Sequence, residues 1–145
     1  MTNQLKIFII NLMKINTKIR YSLRMLVTLA ETKKVISTVV LGKQMLVSPK
    51  YLRKLAGPME KKQLIKSIQG IYGGYLLGKK AGEITIADVF NAFREKIKIS
   101  DCLSGSGCPL DEKCLTKPVW VHLDKIIEDE FYHITIDNIL KGTFG

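Results

Sequence analysis

Between Asn16 and Thr32 the apolar residues Ile19, Leu23, Leu26, Val27 and Ala30 recur at the spacing of one helix face, while Arg20 and Arg24 fall four apart on another face. A second helix is predicted from Thr38 to Met45, carrying Val39, Val40, Leu41 and Gln44. The sharpest local signal is Ser48-Pro49. Serine accepts a hydrogen bond from a free amide of a helix's first turn, and proline suits the first helical position because its missing donor would have no partner there. The helix opened by this pair turns Tyr51, Leu52, Leu55 and Met59 to one side and Lys50, Arg53 and Lys54 to the other. Gly57-Pro58 interrupts the pattern and predicts a kink or a separate short helix.

After this the period changes. Leu64–Ile68 and Tyr75–Leu77 read as strands, joined by Gln69-Gly70-Ile71-Tyr72-Gly73-Gly74, whose three glycines permit the positive φ angles of a hairpin. Thr85-x-x-Asp88 is a capping-box start for a helix with Ala87, Val89, Phe90 and Phe93. Residues 100–116 lose periodicity and read as a loop. A long amphipathic helix is then predicted over 118–132, opened by Pro118, with Trp120, Leu123, Ile127 and Phe131 on one stripe. Thr135–Leu140 closes the chain as a short helix or extended piece. Glu83-Ile84-Thr85-Ile86 and His133-Ile134-Thr135-Ile136 are alike, but so short a match does not make a repeat. The fold class is therefore mainly α with a small β-hairpin.

Helix, short turn, helix from Ser48 and then a glycine-tipped hairpin is the order of a winged helix–turn–helix, whose second helix enters the major groove of DNA. Charge strengthens that reading. Residues 1–82 hold 16 Lys/Arg against only Glu31 and Glu60, a formal +14, whereas residues 83–145 hold 7 against 11, a formal −4. A polyanion-facing half beside a non-binding half has this asymmetry. Lys50, Arg53 and Lys54 suit phosphates and guanine edges, while Ser67, Gln69 and Tyr72 can hydrogen-bond phosphates or minor-groove edges. Ser48, Tyr51, Gly70 and Gly73 complete the candidate interface.

The 46% hydrophobic content of the 145 residues supports a packed core and excludes wholesale disorder. No stretch reaches the roughly 20 apolar residues of a membrane span, and the basic residues lie in several short segments instead of on one broad amphipathic helix. Ile7–Ile10 is too short for a signal sequence, so a cytoplasmic protein without a membrane partner is expected. Residues 1–12 read as an N-terminal extension, with Met13 as a second candidate start.

All three cysteines fall in one segment, Cys102-x5-Cys108-x5-Cys114, around Ser104-Gly105-Ser106-Gly107. Core cysteines sit singly in apolar runs, whereas three thiolates on a flexible loop suit an iron–sulfur cluster or zinc. Metal-free thiols are the remaining alternative. The rival from another class, a thiol-redox enzyme, needs a neighbouring base or a Cys-x-x-Cys pair. Only His122 and His133 exist and no such pair occurs, so no catalytic residue is assigned and no enzyme is expected.

Met13–Arg24, Ser48-x-x-Tyr51-Leu52, Gly70-x-x-Gly73-Gly74-Tyr75-x-Leu77 and Ile84-Thr85-Ile86-x-Asp88-Val89, in this order, resemble the Rrf-type bacterial transcription regulators, the family of the IscR, NsrR and CymR proteins. The resemblance runs from Met13 to about Gly142 and is strongest to the cluster-binding IscR-like members. It implies a DNA-binding domain over 13–82 and a sensor and dimerisation region over 83–145, with the cysteine loop at 101–117 and the long helix at 118–132. It further implies a homodimer joined through the Trp120, Leu123, Ile127 and Phe131 stripe, acting as a redox-responsive repressor or activator on a palindromic operator. Cys102, Cys108 and Cys114 map onto the ligands of a 2Fe–2S or 4Fe–4S centre, 2Fe–2S ahead, with zinc as the alternative.

The departures are specific. Gln69 stands where many relatives carry arginine, and it lacks the charge that favours a narrow minor groove. Leu46 stands where the helix–turn–helix turn commonly has glycine. Lys117 occupies the place of the IscR-like histidine ligand, and Arg20 that of an acidic NsrR-like one. The fourth ligand is thereby left open among Asp101, Asp111, Glu112, His122 and Lys117, or a small molecule. A weakly held centre, sensitive to cluster supply, iron, nitric oxide or redox stress, is the expectation.

Overall fold

The computed structural model describes residues 15–105 and 107–144; the expected extension at 1–12 and Met13 lie outside them. Helix α1 spans Thr17–Thr32, with the Asn16 side chain accepting from the Lys18 amide. Helix α2, Thr38–Met45, is capped by Ser37, and α3, Pro49–Lys61, by Ser48, whose Oγ accepts from the Tyr51 amide at 3.1 Å. Of the two outcomes expected at Gly57-Pro58, the separate short helix does not occur: α3 continues through Pro58 as one helix. Proline forfeits one backbone bond there, and the buried Leu55, Ala56 and Met59 on the same helix compensate by packing.

Between α2 and α3 the chain turns at Leu46, which adopts the left-handed conformation (φ 55°, ψ 43°) with its side chain 89% exposed. A leucine costs about 1–2 kcal/mol in that region and here recovers nothing by burial. Leu46→Gly should therefore stabilise the protein by about 0.5–1 kcal/mol after the extra freedom of glycine in the unfolded chain is discounted. Thermal melting would register this as a rise of roughly 2 °C in Tm; a fall would contradict the turn geometry.

Strands β1, Ile65–Ile68, and β2, Gly74–Leu77, pair antiparallel with Ile65 opposite Leu77 and Ile68 opposite Gly74. Ile36, just before α2, exchanges two 2.9 Å backbone hydrogen bonds with Tyr75 and so fastens the hairpin to the helical body. Gly70 and Gly74 have positive φ (106° and 154°) but Gly73 does not, which corrects the sequence reading. Gly73 is required by proximity instead, since a Cβ there would lie 2.1 Å from the Ile68 carbonyl oxygen.

Helices α4, Ile86–Ala92, and α6, Ile136–Lys141, carry matching capping boxes, Thr85 with Asp88 and Thr135 with Asn138. The two look-alike tetrapeptides meet in space: the Ile86 amide donates to Ile134 O at 3.0 Å and the Ile136 amide to Ile84 O at 2.9 Å. Their isoleucines, Ile84 and Ile136, are fully buried. The C-terminal segment is thus a helix packed against α1, and one core joins Ile19, Leu26, Leu41, Leu52, Met59, Val89 and Ile136. The expected functional division at residues 82 and 83 does not divide that core. Helix α5, Lys117–His133, follows the cysteine loop and is one residue longer at each end than expected. The architecture is a winged helix–turn–helix with an added long helix. Among the described residues no helix is long and apolar enough to cross a membrane.

Candidate nucleic-acid interface and cysteine loop

The caps and core residues of α3 decide what it shows to solvent. Leu52, Leu55, Ala56 and Met59 are buried, which leaves Lys50, Arg53 and Lys54 exposed on the opposite side. Tyr51 is half-buried, its ring edge-on to Tyr21 at 5.9 Å. It is a packing residue between α1 and α3 more than an outward hydrogen-bonding group. Arg53 also reaches the base of the wing electrically. Burial and the Glu60 carboxylate raise the Tyr75 phenol above its ordinary pKa, and the Arg53 charge opposes them. The wing tip projects freely, with Ser67, Gln69 and Gly70 exposed and with Ile71 and Tyr72 at 91% and 88%.

The sequence reading places Arg24 on an outer face of α1 but gives it no role. Its guanidinium lies over the Tyr21 ring, 5.0 Å from the centroid, and Tyr21 meets Tyr51 edge-on, so the three form one run of contacts beside the start of α3. The legible signal was Tyr21 one helical turn before an exposed arginine.

In the cysteine loop, Cys102 sits in a 3-10 turn, Asp101–Leu103, with its Sγ 2.7 Å from Ser100 Oγ, and Cys114 Sγ lies 3.3 Å from Thr116 Oγ1. All three cysteines are half-buried. Gly105 and Gly107 take positive φ with open space around them. The donors fit a soft metal centre in kind, three thiols on a pliable loop. As folded, however, no group of three or more Cys, His, Asp or Glu residues comes together among the described residues. Hydrogen bonds from the Thr116 hydroxyl and from the Thr116 and Lys117 amides lower the Cys114 pKa, against weaker opposition from desolvation and then from the field of Asp111.

Lys117 is ion-paired with Asp111. That hydrogen bond, with the fields of Asp111, Cys102 and Cys108, pushes the ammonium above the ordinary lysine range despite some desolvation. A protonated lysine has no lone pair to give, so in this arrangement Lys117 serves as a counter-charge and not as a ligand. Asp101 opens the 3-10 turn. Asp111, Glu112 and His122 line one surface groove with Cys114.

Helix α5 does not present the expected single stripe. Phe131 stacks on Phe90 of the same chain at 5.1 Å, and Ile127 is half-buried in the same cleft. One helical turn before Ile127, lining the same cleft, is Asp124, which accepts from Lys98 Nζ at 2.8 Å and from the Ile99 amide at 3.3 Å. Trp120 and Leu123 remain exposed and continue into Val119 and Ile126, which the sequence reading did not name. The reason is angular: a wide apolar arc on α5 covers its own domain with one flank and leaves the other flank open.

Residues 15–142 match the model of the Rrf2 family, described as iron-dependent transcriptional regulators. The chain is similar to the HTH-type transcriptional regulator IscR of Pectobacterium carotovorum, 35% identical over 96 residues covering 66% of this chain and 58% of that one. It thus spans somewhat over half the length of that curated relative. Among solved structures it is similar to CymR, the global cysteine regulator of B. subtilis, with a TM-score of 0.73 and 26% identity over 90% of this chain and 98% of that one. The T. potens IscR structure gives a TM-score of 0.70 at 26% identity, covering 89% and 87%.

Proposed function

The chain belongs to the Rrf2 family of transcriptional regulators, and from that premise we propose that it is a cytoplasmic, DNA-binding regulator whose activity is set by its cysteine loop. The observation that carries the reading is the exposed row Lys50, Arg53 and Lys54 on a helix capped by Ser48, flanked by a hairpin wing with Tyr72 exposed at its tip. Lys50 and Lys54 neutralise backbone phosphates, Arg53 reads a base edge, and Ser67, Gln69 and Tyr72 follow the backbone or minor groove. Gln69 makes the wing's preference depend on shape and hydrogen bonding instead of an inserted charge.

A homodimer on a palindromic site accounts for the open flank of α5, Val119, Trp120, Leu123 and Ile126, which a second copy would cover. The role proposed for the stripe thereby shifts from Ile127 and Phe131 to these residues, with Trp120 and Leu123 kept. Cys102, Cys108 and Cys114 would hold an iron–sulfur cluster, 2Fe–2S in the first instance, which when bound supplies a centre sensitive to oxidation and ligand attack. Drawing the three thiols together pulls on both ends of the loop. One end is tied to α5 by the Ile99 amide on Asp124 and the other runs directly into α5 at Thr116. A change of loop shape therefore acts on the helix that sets the distance between two reading helices.

Footprinting with anaerobically purified and chelator-stripped protein tests the proposal. A protected palindrome whose occupancy differs between the two preparations is the expected result; no protected site in either would overturn it. Lys50→Gln should lower the salt dependence of binding by about one unit of log–log slope if Lys50 meets a phosphate. Titration at several salt concentrations measures this, and an unchanged slope would remove Lys50 from the interface. A second reading, with thiols acting free of metal or through zinc, is favoured by the separation of the three cysteines among the described residues.

A further inference from the structure

We propose that Arg24 is a DNA-phosphate contact, held ready by the Tyr21–Tyr51 pair beside the first turn of the reading helix; this rests on the DNA-binding reading above. A guanidinium is planar and weakly hydrated, so it lies flat on an aromatic face while its N–H edge stays free to donate. Arg24 is placed for such a contact: its guanidinium carbon lies over the Tyr21 ring, 5.0 Å from the centroid, and the residue is exposed. Tyr21 is fixed in turn by its edge-on contact with Tyr51, 5.9 Å away, and Tyr51 is the residue whose amide Ser48 caps. The chain of contacts runs from the reading helix to the arginine without a flexible link.

The ion pairs among the described residues join Lys18 to Glu95, Lys98 to Asp124, Lys117 to Asp111 and Lys141 to Asp137; none engages Arg24. Arg20, one turn earlier on α1, is exposed as well. An oriented, exposed cation without a carboxylate partner, in the +14 half of the chain and next to the start of a groove-entering helix, suits a phosphate on the strand flanking that groove. It stands on α1, behind Tyr21 and off the reading helix that carries Tyr51, so it is set to meet the backbone and not a base edge. Stacking limits the rotamers it must give up on binding, which favours a lasting contact over a diffuse charge effect.

The test uses the whole protein, its footprinted operator and a random duplex of equal length, titrated between 50 and 200 mM salt. Arg24→Gln should reduce the log–log slope by about 0.9 on both duplexes, so that its deficit against wild type is about threefold larger at the low-salt end. Arg24→Lys should keep the slope and bind more weakly than wild type, because charge survives and the stack does not. Arg24→Ala provides a second charge-free variant with high helix propensity, and Lys125→Gln, on α5, controls for general loss of charge. An unchanged slope in both Arg24→Gln and Arg24→Ala would overturn the proposal, as would a loss confined to the operator, which would mark a base contact. Failure of the wild-type protein to bind either duplex would instead remove the DNA-binding reading and this contact with it.

Discussion

Replacing Gly74 by alanine is expected to unseat the wing and abolish specific DNA binding. A Cβ at Gly74 would lie 2.0 Å from the Ile36 carbonyl oxygen, 2.5 Å from its carbon and 2.7 Å from Ser37 Cα. All three are backbone atoms, so no side chain can swing aside. Relief requires separating Ile36 from Tyr75, at the expense of both 2.9 Å hydrogen bonds and of the buried position of the Tyr75 ring. Two buried hydrogen bonds, the φ of 154° and lost packing together place the destabilisation at about 3 kcal/mol or more. Gly70→Ala is the informative contrast. Its φ is 106°, but nothing lies within 4 Å of the added carbon, so the expected loss is the backbone strain alone, about 1–2 kcal/mol. Thermal melting and gel-shift assays on the two variants check this. Equal, mild losses in both would mean that the hairpin is not seated on Ile36 as described.

If the three cysteines hold the proposed iron–sulfur cluster, Cys108→Ala should abolish its binding outright. With Cys108 removed only Cys102 and Cys114 remain as sulfur donors, and among the described residues no third Cys, His, Asp or Glu comes together with them. Lys117 is held protonated by Asp111, and His122 and Glu112 border the Cys114 side of the loop. Loss of a supporting partner alone weakens a metal site roughly 10–100-fold, and loss of a direct ligand from a set of three should exceed that. Anaerobic reconstitution of the variant should therefore yield no visible sulfur-to-iron absorption, and its footprint should match that of chelator-stripped wild type. Lys117→His replaces the counter-charge by a neutral nitrogen donor and should slow cluster loss in air. A colourless wild-type protein with stoichiometric zinc, or a Cys108→Ala protein that keeps its colour, would sink the iron–sulfur proposal and leave DNA binding standing.

Legible in the residues alone were those features that depend on positions within one helical turn or one hairpin of each other. Ser48-Pro49, Thr85 with Asp88 and the 3.6-residue spacing in α1 and α3 were enough to place the helices, because a cap bond closes between positions three apart. The charge asymmetry and the grouping of the three cysteines were equally legible, since both are properties of sequence position. Tertiary structure decided the rest. Pro58 stays inside α3 because buried residues around it outweigh one missing bond. Gly74 is irreplaceable because of Ile36, far away along the chain. Thr85 and Thr135 pair although fifty positions separate them, which turned a likeness too short to make a repeat into the clasp that joins α6 to the core. On α5 the apolar period announced a covered face but not what covers it. Phe90 took Phe131, and Val119, Leu123 and Ile126 were left open. Periodicity records that a side chain avoids water; only the packed chain assigns it a partner.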